Sequence, residues 1–424
     1  MRRFGLGLLV AAAALSLGAA ACGEADAETI TVESWRAEDA AVWEDLIIPA
    51  FEREFPAIEV AFVPTSPTEY DAALEERLAE GTAGDVIACR AFDTSLALFE
   101  RSHLAPLADL PGIEAFGPDE RSAWAADGGI PYCVPVASVI HGFVYNRTAF
   151  GELGLREPRT EEEFFGLLEA IRDEGSLVPL AMGTRDRWEA ATMGFQSIGP
   201  NYWKGEQGRL ALIDGSAKLT DQPYVDTLTT LQRWSQYLPS SAPEMTHAEA
   251  RAMFTAGDAA IYPAGSWEIA ALSSAADFEL GAFAPPPPAG QDTCYISDHT
   301  DIGLGMNAAT DSPQAVRTLL TWATSRDFAR IFANALPGFF TLRGTPADID
   351  DPLAREFASW RDNCESTSRN TAQFLSRGEP GLEHEAWAVS AAVLTGGLDP
   401  ISGAQRLQAS LDSWYDPPSQ PANR

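Results

Sequence analysis

The chain contains very little lysine and far fewer basic than acidic side chains. Among its 424 residues only Lys204 and Lys218 are lysines, and 29 basic residues oppose 61 acidic ones, giving a formal net charge of −32. A protein of this charge is repelled by phosphate backbones and anionic bilayers, which excludes nucleic acid as a partner. The remaining composition, with 46 % hydrophobic residues, is that of a folded protein, and the length predicts two or three domains.

The sequence also lacks the motifs of common catalytic and metal sites. It contains no Cys-x-x-Cys, His-Glu-x-x-His, Gly-x-Ser-x-Gly or P-loop pattern, and its five histidines are scattered. Residues 348–351 resemble half of a calcium loop but lack the glycine and the terminal glutamate of that motif. We therefore expect no enzyme activity, no cofactor and no bound metal. A glycosidase pair of carboxylates stays open as an alternative, because it leaves no local signature.

No apolar run reaches the ~18 residues that a membrane span requires. The amino terminus instead has the pattern of an export signal, with Arg2 and Arg3 ahead of an apolar stretch at 6–17. The three alanines before Cys22 resemble a bacterial lipobox, although Ala19 stands where leucine is usual. We expect a signal peptide over 1–21, a lipid on Cys22 and a tether over 22–27, and therefore an exported chain on the extracellular or periplasmic face of the membrane. Cleavage by ordinary signal peptidase is the alternative.

Four further cysteines remain for the exported chain: Cys89, Cys133, Cys294 and Cys364. An oxidising compartment permits two disulfides, and three pairings are possible. Position in the sequence favours Cys89 with Cys133 and Cys294 with Cys364, because the first two cysteines end extended apolar segments in the first part of the chain. Free buried thiols are the alternative.

The first part of the chain alternates predicted strands and helices. Strands are expected over 30–35, 58–63 and 85–89, with helical stripes between them. This spacing is typical of βαβ units and a parallel sheet. Two further strands are predicted over 130–136 and 139–145.

After Asn146 the pattern becomes mainly helical. Thr160 and Glu163 have the spacing of a capping box and begin a helix that continues to residue 171. Further helices are predicted over 225–237, 246–254, 268–273, 313–335 and 383–415, the last interrupted by two glycines, with strands at 259–263 and 302–306.

Several segments, taken in order, resemble one protein family. They are Ser34-Trp35, Phe51–Pro56, Tyr145–Phe150, Pro158–Thr160, Phe254–Ile261, Gly265-Ser266-Trp267 and Asn334–Phe340. Each is short, but their order and spacing behind an export signal resemble the extracellular solute-binding proteins of bacterial ABC importers. The carbohydrate-binding group, related to maltose- and trehalose-binding proteins, is the most similar. The resemblance covers nearly the whole mature chain.

The resemblance implies an α/β, periplasmic-binding-protein-like fold of two lobes, with the ligand cleft between the lobes and multiple crossovers of the chain. Transferred to this sequence, lobe one comprises 28–144 plus 299–342, and lobe two comprises 145–298 plus 343–424. The crossings are then expected near Tyr145, Asp298 and Arg343. The change of composition at Asn146 agrees with this division.

A sugar site needs carboxylates, amides or arginines for the hydroxyl groups and flat rings for the C–H faces. In open parallel sheets these groups lie on loops at the carboxyl ends of strands. That rule selects Trp35, Arg36, Glu38, Ser66, Tyr70 and Asp93 in lobe one. The resemblance selects Trp267 as a stacking ring. Loop and crossing positions add Trp188, Trp203, His299, Asp301, Phe339, Phe340 and Arg343, the last three less firmly because Phe-Phe replaces the residue-Pro pair of many relatives.

These features predict a lipid-anchored receptor that closes on a sugar and delivers it to the permease subunits of an ABC importer. We expect a monomer that takes a mono- or oligosaccharide and contacts the membrane only through its lipid. The alternatives are a secreted carbohydrate-active hydrolase, a structural surface module, or a receptor for another polar solute such as a polyamine, peptide or glycerophosphodiester. Phosphate-bearing solutes are disfavoured because the selected residues include more acids than arginines.

Overall fold

The computed structural model describes residues 27–67, 69–126, 128–343 and 349–417. The predicted signal peptide, Cys22 and the tether up to residue 26 lie outside the described residues. Within the described part of the chain, no helix is long and apolar enough to span a bilayer.

The strands form one long mixed sheet and a small two-stranded one. They are β1 Glu28–Ser34, β2 Ile58–Pro64, β3 Val86–Arg90, β4 Ala125–Ala126, β5 Ile130–Pro131, β6 Cys133–Asn146, β7 Val178–Leu180, β8 Ala259–Gly265, β9 Leu280–Phe283, β10 Cys294–Met306, β11 Phe340–Thr341 and β12 Cys364–Thr367. The long sheet has the order β2-β1-β3-β10-β6-β8-β7, and β4 pairs with β5. The pairs β1–β2, β1–β3, β7–β8 and β10–β12 are parallel, whereas β10 is antiparallel to both β3 and β6.

Helices cover the sheet in both halves of the molecule. They are α1 Ala40–Val42, α2 Ile48–Glu54, α3 Tyr70–Glu80, α4 Asp93–Glu100, α5 Pro118–Ser122, α6 Arg147–Leu153, α7 Glu161–Glu174, α8 Gln196–Ile198, α9 Pro200–Trp203, α10 Glu206–Ile213, α11 Gln222–Trp234, α12 His247–Thr255, α13 Ile269–Ala275, α14 Pro313–Ala323, α15 Arg326–Ala335, α16 Pro352–Ser359, α17 Leu382–Leu394 and α18 Pro400–Asp412. A π-helical turn, Trp43–Ile47, joins α1 to α2. The wider turn lies directly ahead of Pro49, which has no N–H to donate to a preceding carbonyl.

Two hydrophobic cores divide the chain into two lobes. The first core contains Ile30, Val32 and Ile87 together with buried residues of α14 and α15, and the second contains the buried faces of α7, α11 and α17. We call the residues around these cores lobe one and lobe two. The two-lobe α/β architecture expected from the sequence is confirmed.

Strands β6 and β10 belong to both lobes. In β6, Val139 packs in the first core and Ile140 in the second, and in β10 Ile296 packs in the second core and Ile302 in the first. The side chains of β6 are buried along its entire length. The strand is continuous, which corrects the expectation of two separate strands over 130–136 and 139–145. These paired strands form the floor of the space between the lobes.

Both expected disulfides are present. Cys89 of β3 bonds to Cys133 of β6, and Cys294 of β10 bonds to Cys364 of β12. Strand β10 lies between β3 and β6, so the first disulfide passes over it. It passes at Gly305, where a Cβ atom would approach the Cys133 and Cys89 sulfurs to 2.8 and 2.9 Å. Glycine is therefore required at this position.

Candidate functional site

A cavity of about 420 Å³ lies between the lobes and above the crossing strand β10. Lobe one lines it with the end of β3 and the first turns of α4. Strand β10 contributes three consecutive residues, and lobe two contributes the loop between β12 and α17. The lining residues are Arg90, Ala91, Phe92, Asp93, Thr94, Leu96, Ala97, Glu100, His299, Thr300, Asp301, Arg369, Thr371, Ala372, Gln373, Ser376, Arg377 and Glu383. The cavity thus has a wall from each lobe and a floor from the crossing.

The wall from lobe one is held by contacts to backbone at the end of β3. The Trp124 indole donates to the carbonyls of Cys89 and Arg90 at 3.2 and 3.1 Å. The Arg90 guanidinium lies 4.6 Å over the buried Trp35 ring and also pairs with Asp71 at 3.0 Å. Arg90 is therefore oriented by a ring beneath it and a carboxylate beside it.

The Arg36 side chain binds other residues of lobe one. Its guanidinium binds both carboxylate oxygens of Asp39 at 2.8 and 3.0 Å and pairs with Glu38 at 2.9 Å. It also lies 4.7 Å over the Phe339 ring. The loop after β1 is thus rigid, and its one strongly exposed charged side chain is that of Glu38.

Two histidines meet where the strands cross. His141 of β6 and His299 of β10 place their Nε2 atoms 3.0 Å apart, and Arg369 Nε donates to His299 at 3.0 Å. The Nδ1 atoms of His141 and His299 lie 2.7 and 3.0 Å from the carbonyl oxygens of Thr192 and Thr300. Burial, reinforced by Arg369, lowers the pKa of His141 to about 3 and lowers the pKa of His299 as well, so both rings are neutral at neutral pH.

Asp301 is a carboxylate surrounded by arginines. Burial raises the pKa of Asp301, and the positive charges of Arg369, Arg36 and Arg90 oppose that rise. Within the described residues its carboxylate accepts no hydrogen bond. Asp301 is therefore available to accept hydrogen bonds from the hydroxyl groups of a bound molecule.

The wall from lobe two is the loop 368–381. Asn370 and Gln196 exchange two hydrogen bonds, and Arg209 donates to Gln373 at 3.3 Å. Arg369 pairs with Glu383 at 3.2 Å at the start of α17. Polar side chains thus attach the loop to its own lobe while it faces the cavity.

Two half-buried tryptophans lie in lobe two outside the cavity lining. Trp267 packs against both cores and meets the His141 ring edge-on at 5.3 Å. Trp188 packs against His247 at 4.7 Å between ring centroids. Both rings follow strands of lobe two, and Trp267 lies at the junction of the lobes.

Glu189, beside Trp188, is an unusual buried acid. Only 1 % of it is exposed, and among the described residues neither of its carboxylate oxygens has a hydrogen-bond partner. Burial raises the pKa of Glu189 to about 7, while His247 lowers it and Asp186 raises it further. His247 itself binds Glu268 at 2.8 Å.

Of the side chains selected from the sequence, the structure brings Asp93, His299 and Asp301 into the cavity lining. Trp35 and Arg36 lie behind the cavity lining. The Trp35 ring packs under the lining residue Arg90, and the charge of Arg36 acts on the lining residue Asp301. Four others pack in the cores instead, because their rings fill space between helices and sheet: Tyr70, Trp203, Phe339 and Phe340. Trp203, for example, lies between the rings of Phe195 and Tyr224.

Two further selected residues lie away from the cavity. The Ser66 hydroxyl binds Glu69 at 2.7 Å on the surface. Arg343 donates to the carbonyl of Thr324 at 2.9 Å in lobe one. Both side chains therefore have partners within the protein.

Among the lining residues not selected from the sequence are Arg90 on lobe one and most of the wall on lobe two. Arg90 ends β3, so the rule that selected Asp93 applies equally to Arg90. The missed side chains of lobe two are Arg369, Thr371, Gln373, Ser376, Arg377 and Glu383. Their loop follows the unpredicted strand β12, so no strand-end signal marked it. Within the described residues no cluster of three or more potential metal ligands is present.

Comparison with known proteins adds to this geometry. A model of the family described as bacterial extracellular solute-binding protein matches residues 34–329. A multiple sugar-binding protein of Streptococcus mutans is 23 % identical over 318 residues, which are 72 % of this chain and 71 % of that protein. The structure of a chitin oligosaccharide binding protein is similar with a TM-score of 0.78 at 20 % identity, covering 92 % of this chain and 99 % of that one.

RafE of Streptococcus pneumoniae, solved in complex with raffinose, is similar with a TM-score of 0.76 at 21 % identity. The similarity covers 91 % of this chain and 99 % of that one. These structures have the same two-lobe fold.

Proposed function

The chain belongs to the bacterial extracellular solute-binding proteins, and we propose that it captures a sugar between its lobes and delivers it to the permease of an ABC importer. The observation that carries this proposal is the cavity lined by both lobes and by a crossing strand. A solute that contacts both walls at once favours the closed arrangement, and closure then reports an occupied receptor to its partner. The chain binds its solute without altering it, as a member of a family of binding proteins.

The lining supports a polyhydroxylated guest. Asp301 and Asp93 supply acceptors, whereas Arg90 and Arg369 supply donors, and charge-assisted hydrogen bonds of both kinds suit hydroxyl groups. A cavity of about 420 Å³ lies near the lower end of the ~300–1,000 Å³ found for ligand sites. We therefore propose a mono- or disaccharide as the solute. The relatives described above support a sugar as the solute, and the cavity volume supports its small size.

A thermal-shift screen with mono-, di- and trisaccharides tests the proposal, combined with chromatography of each sugar after incubation. The proposed function predicts a rise in melting temperature with at least one small sugar and unchanged sugar afterwards. Asp301→Asn removes a cavity acceptor and should abolish the rise, whereas Asp362→Asn, the same change at an exposed position outside the cavity, should leave it intact. Cleaved sugar would support a hydrolase instead, and no shift with any sugar would contradict the proposal.

The predicted lipid on Cys22 is part of the same proposal. A receptor held to the membrane surface stays close to its importer, and a cysteine at the mature amino terminus that carries more than one acyl chain provides a stable attachment. In a bacterial host, metabolic labelling with a palmitate analogue should label the wild-type chain and not Cys22→Ser. Equal absence of label from both would favour ordinary signal cleavage.

A further inference from the structure

One ion pair joins the two walls of the cavity directly. Arg377 Nε, from the loop 368–381 of lobe two, lies 2.7 Å from Asp93 Oδ1 at the start of α4 in lobe one. The Asp93 side chain is only 13 % exposed, whereas that of Arg377 is 42 % exposed. The Arg377 guanidinium also lies 4.4 Å over the Phe374 ring of its own loop. The pair therefore spans the mouth of the cleft at a partly buried position.

Asp93 keeps one oxygen for another donor. Its Oδ2 atom is buried and has no hydrogen-bond partner among the described residues. Since Arg377 occupies Oδ1, the same carboxylate can hold Arg377 and a ligand hydroxyl group at once. The ion pair is thus compatible with an occupied cavity.

The loop that carries Arg377 is anchored to lobe two on both sides of it. Asn370 binds Gln196 ahead of Arg377, and the Trp414 indole donates to the Pro380 carbonyl at 2.9 Å behind it. Because the loop is anchored in this way, the contact of Arg377 with Asp93 links lobe two as a whole to lobe one.

The backbone on both sides of the ion pair has positive φ angles at residues other than glycine. Phe92, which precedes Asp93, has φ of 63°, and Gln373 and Phe374 have φ of 57° and 41°. Non-glycine residues in sparsely populated regions of backbone conformation are strained, and such residues concentrate at functional contacts. The two strained segments face each other where the lobes meet.

We propose that Arg377 is a latch that stabilises the closed arrangement of the lobes and thereby sets the affinity for the solute. A receptor with a populated closed state binds its ligand more tightly, because less of the binding free energy is used to close the lobes. The affinity part of this inference rests on the proposed function. The closure part does not.

Small-angle scattering of the ligand-free chain tests closure without any sugar. Arg377→Gln removes the charge, and Arg406→Gln is a matched control, because Arg406 pairs with Glu385 at 2.9 Å within lobe two. We expect the radius of gyration of Arg377→Gln to rise by about 1 Å, as in hinge opening, while the control and wild type stay equal. Equal radii for all three chains would overturn the latch. Arg377→Lys keeps the charge and should give an intermediate radius.

Calorimetric titration with the sugar found in the thermal-shift screen tests affinity. We expect Arg377→Gln to bind on the order of tenfold more weakly, with Arg406→Gln unchanged. An unchanged affinity in Arg377→Gln would overturn the affinity-setting role. If no sugar binds the wild type, the proposed function fails, while the scattering result still decides whether Arg377 closes the cleft.

Discussion

The wall of the cleft on lobe one consists of residues that directly follow a parallel strand, whereas the wall on lobe two is a loop between a short strand and a helix. On lobe one, β3 ends at Arg90 and α4 begins at Asp93. A disulfide at Cys89 and the Trp124 indole fix that strand end. On lobe two, side-chain hydrogen bonds hold the loop 368–381. Lobe one thus presents a rigid surface, and the shape of the opposite wall depends on polar contacts.

The two disulfides show the same contrast. Cys89–Cys133 is fully buried and joins strands on either side of β10, inside lobe one. Cys294–Cys364 is half-buried and joins β10 to β12, which leads into the loop of lobe two. Each closes a long loop and restricts the unfolded chain. The first stabilises a wall of the cleft, and the second fixes the start of the segment that supplies the other wall.

The largest effect is expected from breaking the rigid wall at Gly305. Gly305→Ala places a Cβ atom under 3.0 Å from both sulfurs of the Cys89–Cys133 disulfide, so the central strand or the disulfide must shift. We expect a loss of about 3 kcal/mol in the free energy of unfolding, measured by denaturant titration. Gly166→Ala in α7, where a Cβ meets open space, is the control and should be neutral or slightly stabilising. A stable Gly305→Ala chain with its disulfide intact would contradict the rigid wall.

The next effect concerns binding. Asp93→Asn should weaken sugar binding about 30-fold in calorimetric titration, because it removes a charged acceptor from the ligand and from Arg377. Trp267→Ala should weaken ligand-induced stabilisation, because the ring lies at the junction of the lobes, and should also lower the melting temperature without sugar, because the ring packs against both cores. Arg101→Gln, in the exposed pair with Glu75, is the control for both. If Asp93→Asn binds the sugar as tightly as wild type, the wall of lobe one does not contact the sugar. If Trp267→Ala keeps the wild-type affinity, the Trp267 ring does not contribute to binding.

The smallest expected effect is a pH dependence of stability that arises from a buried acid in lobe two. Burial raises the pKa of Glu189 in lobe two to about 7, so between the unfolded value near 4.5 and pH 7 the folded chain binds more protons than the unfolded chain. Glu189 therefore lowers stability as pH rises through this window, by about 2 kcal/mol from pH 5 to 7. The free energy of unfolding of wild type should fall over this pH range, whereas that of Glu189→Gln should lack this contribution. Denaturant titration at each pH measures both. Parallel pH profiles of the two chains would show that Glu189 stays ionised in the folded state.

Local patterns predicted much of the fold. The first three strands, expected over 30–35, 58–63 and 85–89, are Glu28–Ser34, Ile58–Pro64 and Val86–Arg90. Thr160 caps α7 as expected, accepting from the Glu163 N–H. The Glu163 carboxylate, however, accepts from Arg159 instead of Thr160, and the complete capping box is at Thr246 and Glu249. Alternating apolar residues and caps act over a few residues, which is why the sequence reveals them.

The site was less predictable, because half of it depends on distant parts of the chain. Asp93 was found from its strand, but its partner Arg377 is 284 residues away and follows no predicted strand. Several aromatic residues selected as ligand platforms lie in the cores. Trp203 and Phe339 fill the cores, since large rings contribute most to stability when they are buried. Only the packed structure distinguishes a ring at the cleft from a ring in a core.

Hydrogen–deuterium exchange with and without a saturating sugar tests the central claim most directly. A site between the lobes predicts slower exchange in both 90–100 and 369–383, the segments that line the cavity from opposite lobes. Slower exchange in one of these segments alone, or only on the outer surface of either lobe, would contradict a site formed between the lobes.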